Sequence, residues 1–145
     1  MSLFSLLSVS ASGMAAQRTR AALLVENLAN AETTRTPEGG VYRRKDAVFA
    51  SEAVSSPFAS VFESEIGAAG TGVAVSDVIE DTRPPEKRYL PGHPDADAEG
   101  YVAFPRVNPA EDMVDLMGAT RGYQANVAAM SAVKSMINSS IDLLR

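Results

Sequence analysis

The chain has 145 residues, 46% hydrophobic and 21% charged, a balance that fits one domain, or a small domain with helical extensions, and excludes a disordered class. Its net charge of -5, with Arg43, Arg44 and Lys45 as the one tight basic cluster, argues against a nucleic-acid partner, because phosphate contacts need a basic surface. The absence of cysteine excludes disulfides and thiolate metal sites, and is compatible with an oxidising compartment.

Met1 to Gln17 carries no charged side chain. It is nevertheless rich in Ser, too short in continuous apolar residues to span a bilayer, and without the basic start of a secretory signal. No transmembrane span is therefore expected, and export would have to proceed without an ordinary cleaved signal peptide. From Met1 to about Ala31 the pattern reads as a helix, with Leu3, Leu7, Met14, Ala21, Leu24 and Leu28 at three-four spacing and Ser10 and Gln17 as polar interruptions. Its far side is small and uncharged through Ser12, Ala15 and Ala16. Charges begin at Arg18 and Arg20.

Thr, Pro and Gly between Ala31 and Gly40 end that helix in a loop. Tyr42 to Phe49 is strand-like; Ser51 to Gly72 reads as a loop or hairpin insertion; Val73 to Val78 alternates as a strand. Pro84 and Pro85 break the chain before Lys87 to Leu90, and Gly100 to Phe104 is a second short strand. All acidic residues except Glu26 and Asp142 fall between Glu32 and Asp115. The middle is therefore built for water and the ends for contact.

The last stretch, Asn108 to Arg145, reads as one long helix. Asn108 can cap it, Pro109 suits its first position, and Glu111 stands where a capping box would close. Stepping by three and four from Met113 gives Leu116, Thr120, Tyr123, Val127, Met130, Lys134, Ile137, Ile141 and Leu144, a seam with Thr120 and Lys134 off pattern. The opposite face offers Gly118, Ala125, Ala128, Ala129, Ala132, Ser135 and Ser139 where an exposed helix should carry Lys and Glu. Small residues admit close backbone approach, so this helix is expected to be covered on more than one face. The expected fold class is α+β: long N- and C-terminal helices, residues 1–31 and 108–145, pair as a coiled-coil-like hairpin around a small β-rich middle region, residues 32–107. On its own the pair buries too little to order fully, and should complete its order when copies or relatives pack around it.

No catalytic or cofactor constellation stands out. Asp95, Asp97, Glu99 and Gly100 imitate the start of a calcium loop, but position twelve would be Arg106 instead of Glu; an Asx-rich turn is the better account. His93 is the one histidine, which leaves a transition-metal site without nitrogen or sulfur partners and points to a structural role. Ser131 and Lys134 match a Ser-x-x-Lys pattern whose companion motifs are missing, and one helical turn explains the spacing.

The segments Ser10 to Arg18, Asn27 to Ala31, Tyr42 to Lys45, Tyr89 to Asp97, Gly100 to Val102, Glu111 to Met117 and Ala119 to Val127 closely resemble the bacterial flagellar axial proteins. Within that family the His93 to Asp97 stretch and the short middle resemble the rod proteins of the basal body. The resemblance implies a non-catalytic proximal rod subunit, exported through the flagellar type III apparatus and assembled in the periplasm. Its implied partners are other copies of itself, other flagellar rod proteins and, during secretion, the export apparatus, with no small-molecule substrate or cofactor. Its terminal helices would form the inner layer of a torque-transmitting tube around the export channel. The helix-packing residues so implied are Leu3, Leu7, Met14, Leu24, Leu28, Met113, Leu116, Tyr123, Val127, Ala128, Met130, Ala132, Ile137, Ile141 and Leu144, with Asn27, Asn30 and Asn126 as hydrogen-bond or cap positions that fix register. Departures from the family pattern are slight: Met14 where Leu is usual, Glu32, Arg106, and Gly122 where Ala is commoner. Two amphipathic helices also suit another axial or injectisome-like rod component, or a free coiled-coil adaptor or export chaperone; an enzyme using His93, Asp95 and Asp97 is the remotest reading.

Overall fold

A computed structural model describes residues 3–53 and 71–143, with side chains from Ser5 onward. The expectations for the Leu3 side chain, for Leu144, and for residues 54–70 of the Ser51 to Gly72 segment lie outside the described residues. Chain order is α1 (Leu3–Ala29), β1 (Lys45–Ala53), β2 (Thr71–Glu80), β3 (Glu86–Tyr89), β4 (Tyr101–Phe104) and α2 (Pro109–Asp142). This is an α+β chain: two terminal helices and, between them, two separate antiparallel pairs, β1 with β2 and β3 with β4.

The long pair runs from Lys45 opposite Glu80 to Ala53 opposite Thr71, with a register shift between Val48 and Phe49 that leaves Ser76 as the extra residue. The Ser76 hydroxyl donates to the Val48 carbonyl at 3.2 Å. At the far end, the Val73 amide donates to the Ser12 hydroxyl of α1 at 3.1 Å, tying the strand to the helix. The short pair is pinned at its tip by an Asx turn: Asp97 Oδ1 accepts from the amides of Glu99 at 3.2 Å and Tyr101 at 2.7 Å. The Asp97 carboxylate thus serves the turn, while Asp95 Oδ2 accepts from the Thr34 hydroxyl at 2.8 Å. His93 Nδ1 accepts from the Asp95 amide at 3.1 Å, and its ring meets Phe104 edge-on.

α2 opens as its sequence requires, with the Asn108 side chain accepting from the Ala110 amide at 3.2 Å and Pro109 behind it. Glu111 is exposed, so the cap rests on Asn108. At 34 residues α2 is about 51 Å long at 1.5 Å per residue. It lies antiparallel against α1: Gly13 faces Asn126, Gln17 faces Gly122, and Arg20 reaches Asp115.

The face α2 turns to α1 differs from the expected seam. Asp112, Ala119 and Val133 are buried, and Leu116, Gly122, Asn126, Met130 and Ile137 are half-buried. Leu116, Met130 and Ile137 belong to both sets. Met113, Tyr123, Val127 and Ile141, expected in the seam, are 52%, 41%, 41% and 56% exposed. The contacting face keeps Leu116, Met130 and Ile137 but takes Asp112, Ala119, Asn126 and Val133 in place of Met113, Thr120, Val127 and Lys134, a turn of about half of the 100° between successive residues. Thr120 and Lys134, the two misfits of the expected seam, each follow a residue that is buried, Ala119 and Val133.

Candidate assembly surfaces

Where α1 ends, Asn27 is wholly buried and its side-chain amide makes three hydrogen bonds. Nδ2 donates to the Lys45 carbonyl at 2.9 Å; Oδ1 accepts from the Lys45 amide and from the Tyr42 hydroxyl, each at 2.9 Å. One side chain thereby satisfies both main-chain groups of Lys45 at the start of β1. Burial first, and then Glu26, Glu80 and Asp112, push the Tyr42 hydroxyl up to about 12, so it keeps the proton it donates. Lys45 closes the junction with Nζ 2.7 Å from Glu26, the contact that holds its ammonium above the usual lysine range. Asn30 acts one turn later: its Nδ2 donates to the Glu26 carbonyl at 3.0 Å and its Oδ1 accepts from the Thr33 hydroxyl at 3.1 Å, which turns the chain out of the helix.

Across the helix pair, Asp112 is 1% exposed. The Arg44 Nη2 lies 3.0 Å from its Oδ1, and Arg44 also reaches Asp46 at 3.4 Å and Asp115 at 4.0 Å. None of these approaches gives Asp112 a hydrogen bond; both its carboxylate oxygens and Arg44 Nε are buried without one. Burial raises the Asp112 pKa more than the Arg44 charge lowers it, with Asp46, Asp115 and Glu111 adding to the rise. Beside it, Arg20 Nη2 is 3.1 Å from Asp115 Oδ1. These pairs set where along each other the two helices stop.

Between the ion pairs and the free end, the helices touch through glycine. A Cβ on Gly13 would sit 3.0 Å from Asn126 Nδ2 and Oδ1, and Asn126 is itself held by donating to the Gly122 carbonyl at 2.9 Å. A Cβ on Gly122 would meet Gln17 Cδ at 3.2 Å. The Ser10 hydroxyl, buried on the same side of α1, is satisfied within its own helix by the Leu6 carbonyl at 2.9 Å.

Of the apolar residues expected on α1, Leu24 is buried and Leu7, Met14 and Leu28 are half-buried. On α2 a large surface has no cover among the described residues. Met113, Val114, Met117, Tyr123, Val127, Met136 and Ile141 are each more than 40% exposed, and Gly118, Ala125, Ala128, Ala129 and Ala132 are exposed as well. Among the described residues no group of three His, Cys, Asp or Glu could hold a metal ion, and no helix is long and apolar enough to cross a membrane. Sequence reasoning had missed Asp112, Arg44, Gln17 and Gly13. A lone Asp between Glu111 and Met113 at a helix start reads as a dipole partner, and only the position of Arg44 in space reveals it as buried.

The part of the chain holding β4 and α2, residues 98–143, matches the family model described as the C-terminal region of the flagellar basal body rod FlgEFG proteins. Over essentially the full length of both chains, the sequence is 43% identical to the flagellar basal-body rod protein FlgC of Bacillus subtilis. It is 40% identical to that of Escherichia coli O6:H1 and 38% to that of Borreliella burgdorferi, with 98% or more of each relative and 99% or more of this chain covered. The likeness thus spans the terminal helices, the buried junction and the strands together, and the chain belongs to the flagellar basal-body rod protein FlgC family, structural components of the basal-body rod.

Proposed function

We propose that this chain polymerises through its terminal helices, with other copies and other rod proteins, into the proximal rod, a drive shaft that transmits torque around the export channel in the periplasm. The observation that carries this reading is the uncovered surface of α2: large apolar side chains such as Met117, Val127 and Met136 standing beside Ala128 and Ala132 on a helix of about 51 Å. Small residues let neighbouring helices approach, and the large ones fill the space between them in a coiled-coil-like layer. A stiff shaft needs each helix to be gripped from several sides. The ends of the pair complete their order as neighbours arrive, and the flagellar export apparatus delivers the chain to the growing rod.

The test is replacement of Ala128 or Ala132 by Arg, followed by quantifying the chain in purified basal bodies and measuring swimming. Each substitution blocks incorporation and motility, while amide spectra of residues 32–53 and 71–107 stay as in the parent. Normal incorporation of either variant would sink this reading.

A further inference from the structure

An open cleft of about 300 Å³ lies between the Gly39 to Arg44 stretch, the β2–β3 connection and the exit of β4. Its charge opposes that of the chain as a whole. The net charge is -5, yet Arg43, Arg44, Arg83 and Arg106 line this cleft with Asp81 as the lone carboxylate. That carboxylate is occupied: Arg83 Nε lies 2.9 Å from each of its oxygens, and Nη2 is 2.6 Å from Oδ2. Arg44 is likewise engaged with Asp112. Arg43 donates to the Asp81 main-chain carbonyl at 3.3 Å, and among the described residues neither Arg43 nor Arg106 has a carboxylate within ion-pair distance. Two guanidinium groups without an ion-pair partner among the described residues, Arg106 and an Arg43 that spends one N–H on a main-chain carbonyl, therefore stand beside the apolar rings of Pro85 and Pro105, a setting suited to a carboxylate.

The other end of the β3–β4 hairpin has the opposite sign. Asp95, Asp97 and Glu99 fall within five residues at its tip, and each strand is four residues long, so tip and cleft are separated by about 13 Å of strand at 3.3 Å per residue. Asp97 is committed to its turn and lies 3.8 Å from Lys87; Asp95 accepts from Thr34 at 2.8 Å. Glu99 is exposed and has no ion pair among the described residues. A molecule that is acidic at the tip of one hairpin and basic at its root is complementary to its own copies head to tail. Such a contact, unlike a two-fold one, repeats into a ring or helix.

We infer that the acidic hairpin tip of one copy, led by Glu99, seats in the arginine cleft of the next copy, against Arg43 and Arg106, as a contact between copies additional to the helix layer. The inference rests on the reading of the chain as a rod subunit. Exposed ion pairs contribute little affinity, so the contact orients neighbours while the helices hold them.

The chain's lack of cysteine makes the test direct. Ala98→Cys at the tip and Ala103→Cys in the cleft wall place one thiol on each side of the proposed contact. Oxidation of purified basal bodies carrying both links copies into dimers and larger multiples, whereas either substitution alone gives no ladder. Adding Arg106→Glu lowers the linked fraction by about tenfold or more, since like charges facing each other cost several kcal/mol, and adding Glu99→Lys to that variant restores it. No ladder from the double-cysteine chain, despite normal amounts in the basal body, overturns the contact; so does a ladder indifferent to Arg106→Glu. If Arg106→Glu lowers incorporation while no ladder ever forms, the cleft takes another subunit's acid and the pairing of copies is wrong. Absence of the unsubstituted chain from basal bodies would instead overturn the rod reading itself.

Discussion

Where the helix pair meets the strands, Leu24 is buried beside two polar residues, Asn27 and Asp112, which are at most 1% exposed, and Arg44, Arg20 and Asp115 cluster around Asp112. Towards the C-terminal end of α2, Val133 is buried but Val127, Met136, Ile141 and Leu143 are 41%, 49%, 56% and 87% exposed. The first region holds its geometry with directional contacts, the three hydrogen bonds of Asn27 and the ion pair of Arg44 with Asp112, although the Asp112 carboxylate itself gains no hydrogen bond. The second leaves its apolar area for something else to cover. Directional bonds specify one arrangement at some cost in stability, whereas apolar area is non-directional and serves any well-fitting neighbour. The polar junction thus fixes how the helices meet the strands, and the far end is the part on which the proposed assembly draws.

The largest effect expected in this contrast comes from Arg44→Met. It leaves the Asp112 carboxylate buried without its cation, a loss of about 3–5 kcal/mol for breaking such a pair from one side, read as a lower urea midpoint for the strands and the start of α2. The pH dependence is part of the test. Asp112 binds a proton more readily folded than unfolded, so its contribution favours folding below the ordinary carboxylate range and is lost as pH rises through the raised folded value. Asp81 works in the opposite sense: Arg83 holds it at about 2, so its contribution is present above about 4, the ordinary carboxylate value, and is lost as pH falls towards 2. Arg44→Met should deepen the first slope and leave the second unchanged. Asp112→Asn should remove the first slope, and if it does not, the burial of that carboxylate is not what controls the junction.

Asn27→Ala ranks next. Three hydrogen-bonding groups, the Lys45 amide, the Lys45 carbonyl and the Tyr42 hydroxyl, lose their partner together. Unsatisfied buried groups cost about 1–3 kcal/mol each, with water entering the gap recovering part, so a net loss of about 3 kcal/mol is expected. Hydrogen exchange should locate it at residues 42–48 and the last turn of α1, with the far end of α2 unaffected. Equal acceleration in both places would mean that the two regions form one cooperative unit.

The helices and their approximate ends were legible in sequence because Asn108-Pro109 starts one helix and the Thr, Pro and Gly run after Asn30 stops the other. The strands were legible too, to within a few residues, except that β1 extends past Phe49 to Ala53. Asn27, Asn30 and Asn126 were expected as hydrogen-bond or cap positions that fix register; Asn27 bonds across to the start of β1, whereas Asn126 donates to its own helix and the Asn30 side chain bonds to Glu26 and Thr33 nearby in the chain, which does not set helix register. What periodicity could not give was the phase of α2. Hydrophobicity ranks Met113, Tyr123 and Val127 above Asp112, Gly122 and Asn126, but the contact with α1 was decided by size and by Arg44, a residue 68 positions earlier in the chain. Apolar residues left outside then look like a core until the true core is seen.

Gly13→Ala and Gly122→Ala are expected to have the smallest effects, and they sharpen the contrast because both replace a helical Gly, a change worth up to about 1 kcal/mol of added helix stability by itself. At Gly122 the new methyl meets the end of the flexible Gln17 side chain at 3.2 Å, which can move by a few tenths of an ångström. The gain should therefore survive, about 0.5 kcal/mol, as a small rise in the urea midpoint. At Gly13 the methyl would stand 3.0 Å from two atoms of Asn126, whose amide is held against its own helix by the Gly122 carbonyl. Either that bond breaks or the helices separate, so overpacking of about 1–2 kcal/mol outweighs the propensity gain and the midpoint falls. The difference in sign between two chemically identical substitutions measures how tightly the helices are held at each level. If both variants gained stability equally, the approach of α1 to α2 at Gly13 would be loose, and the polar junction alone would set the geometry of the pair.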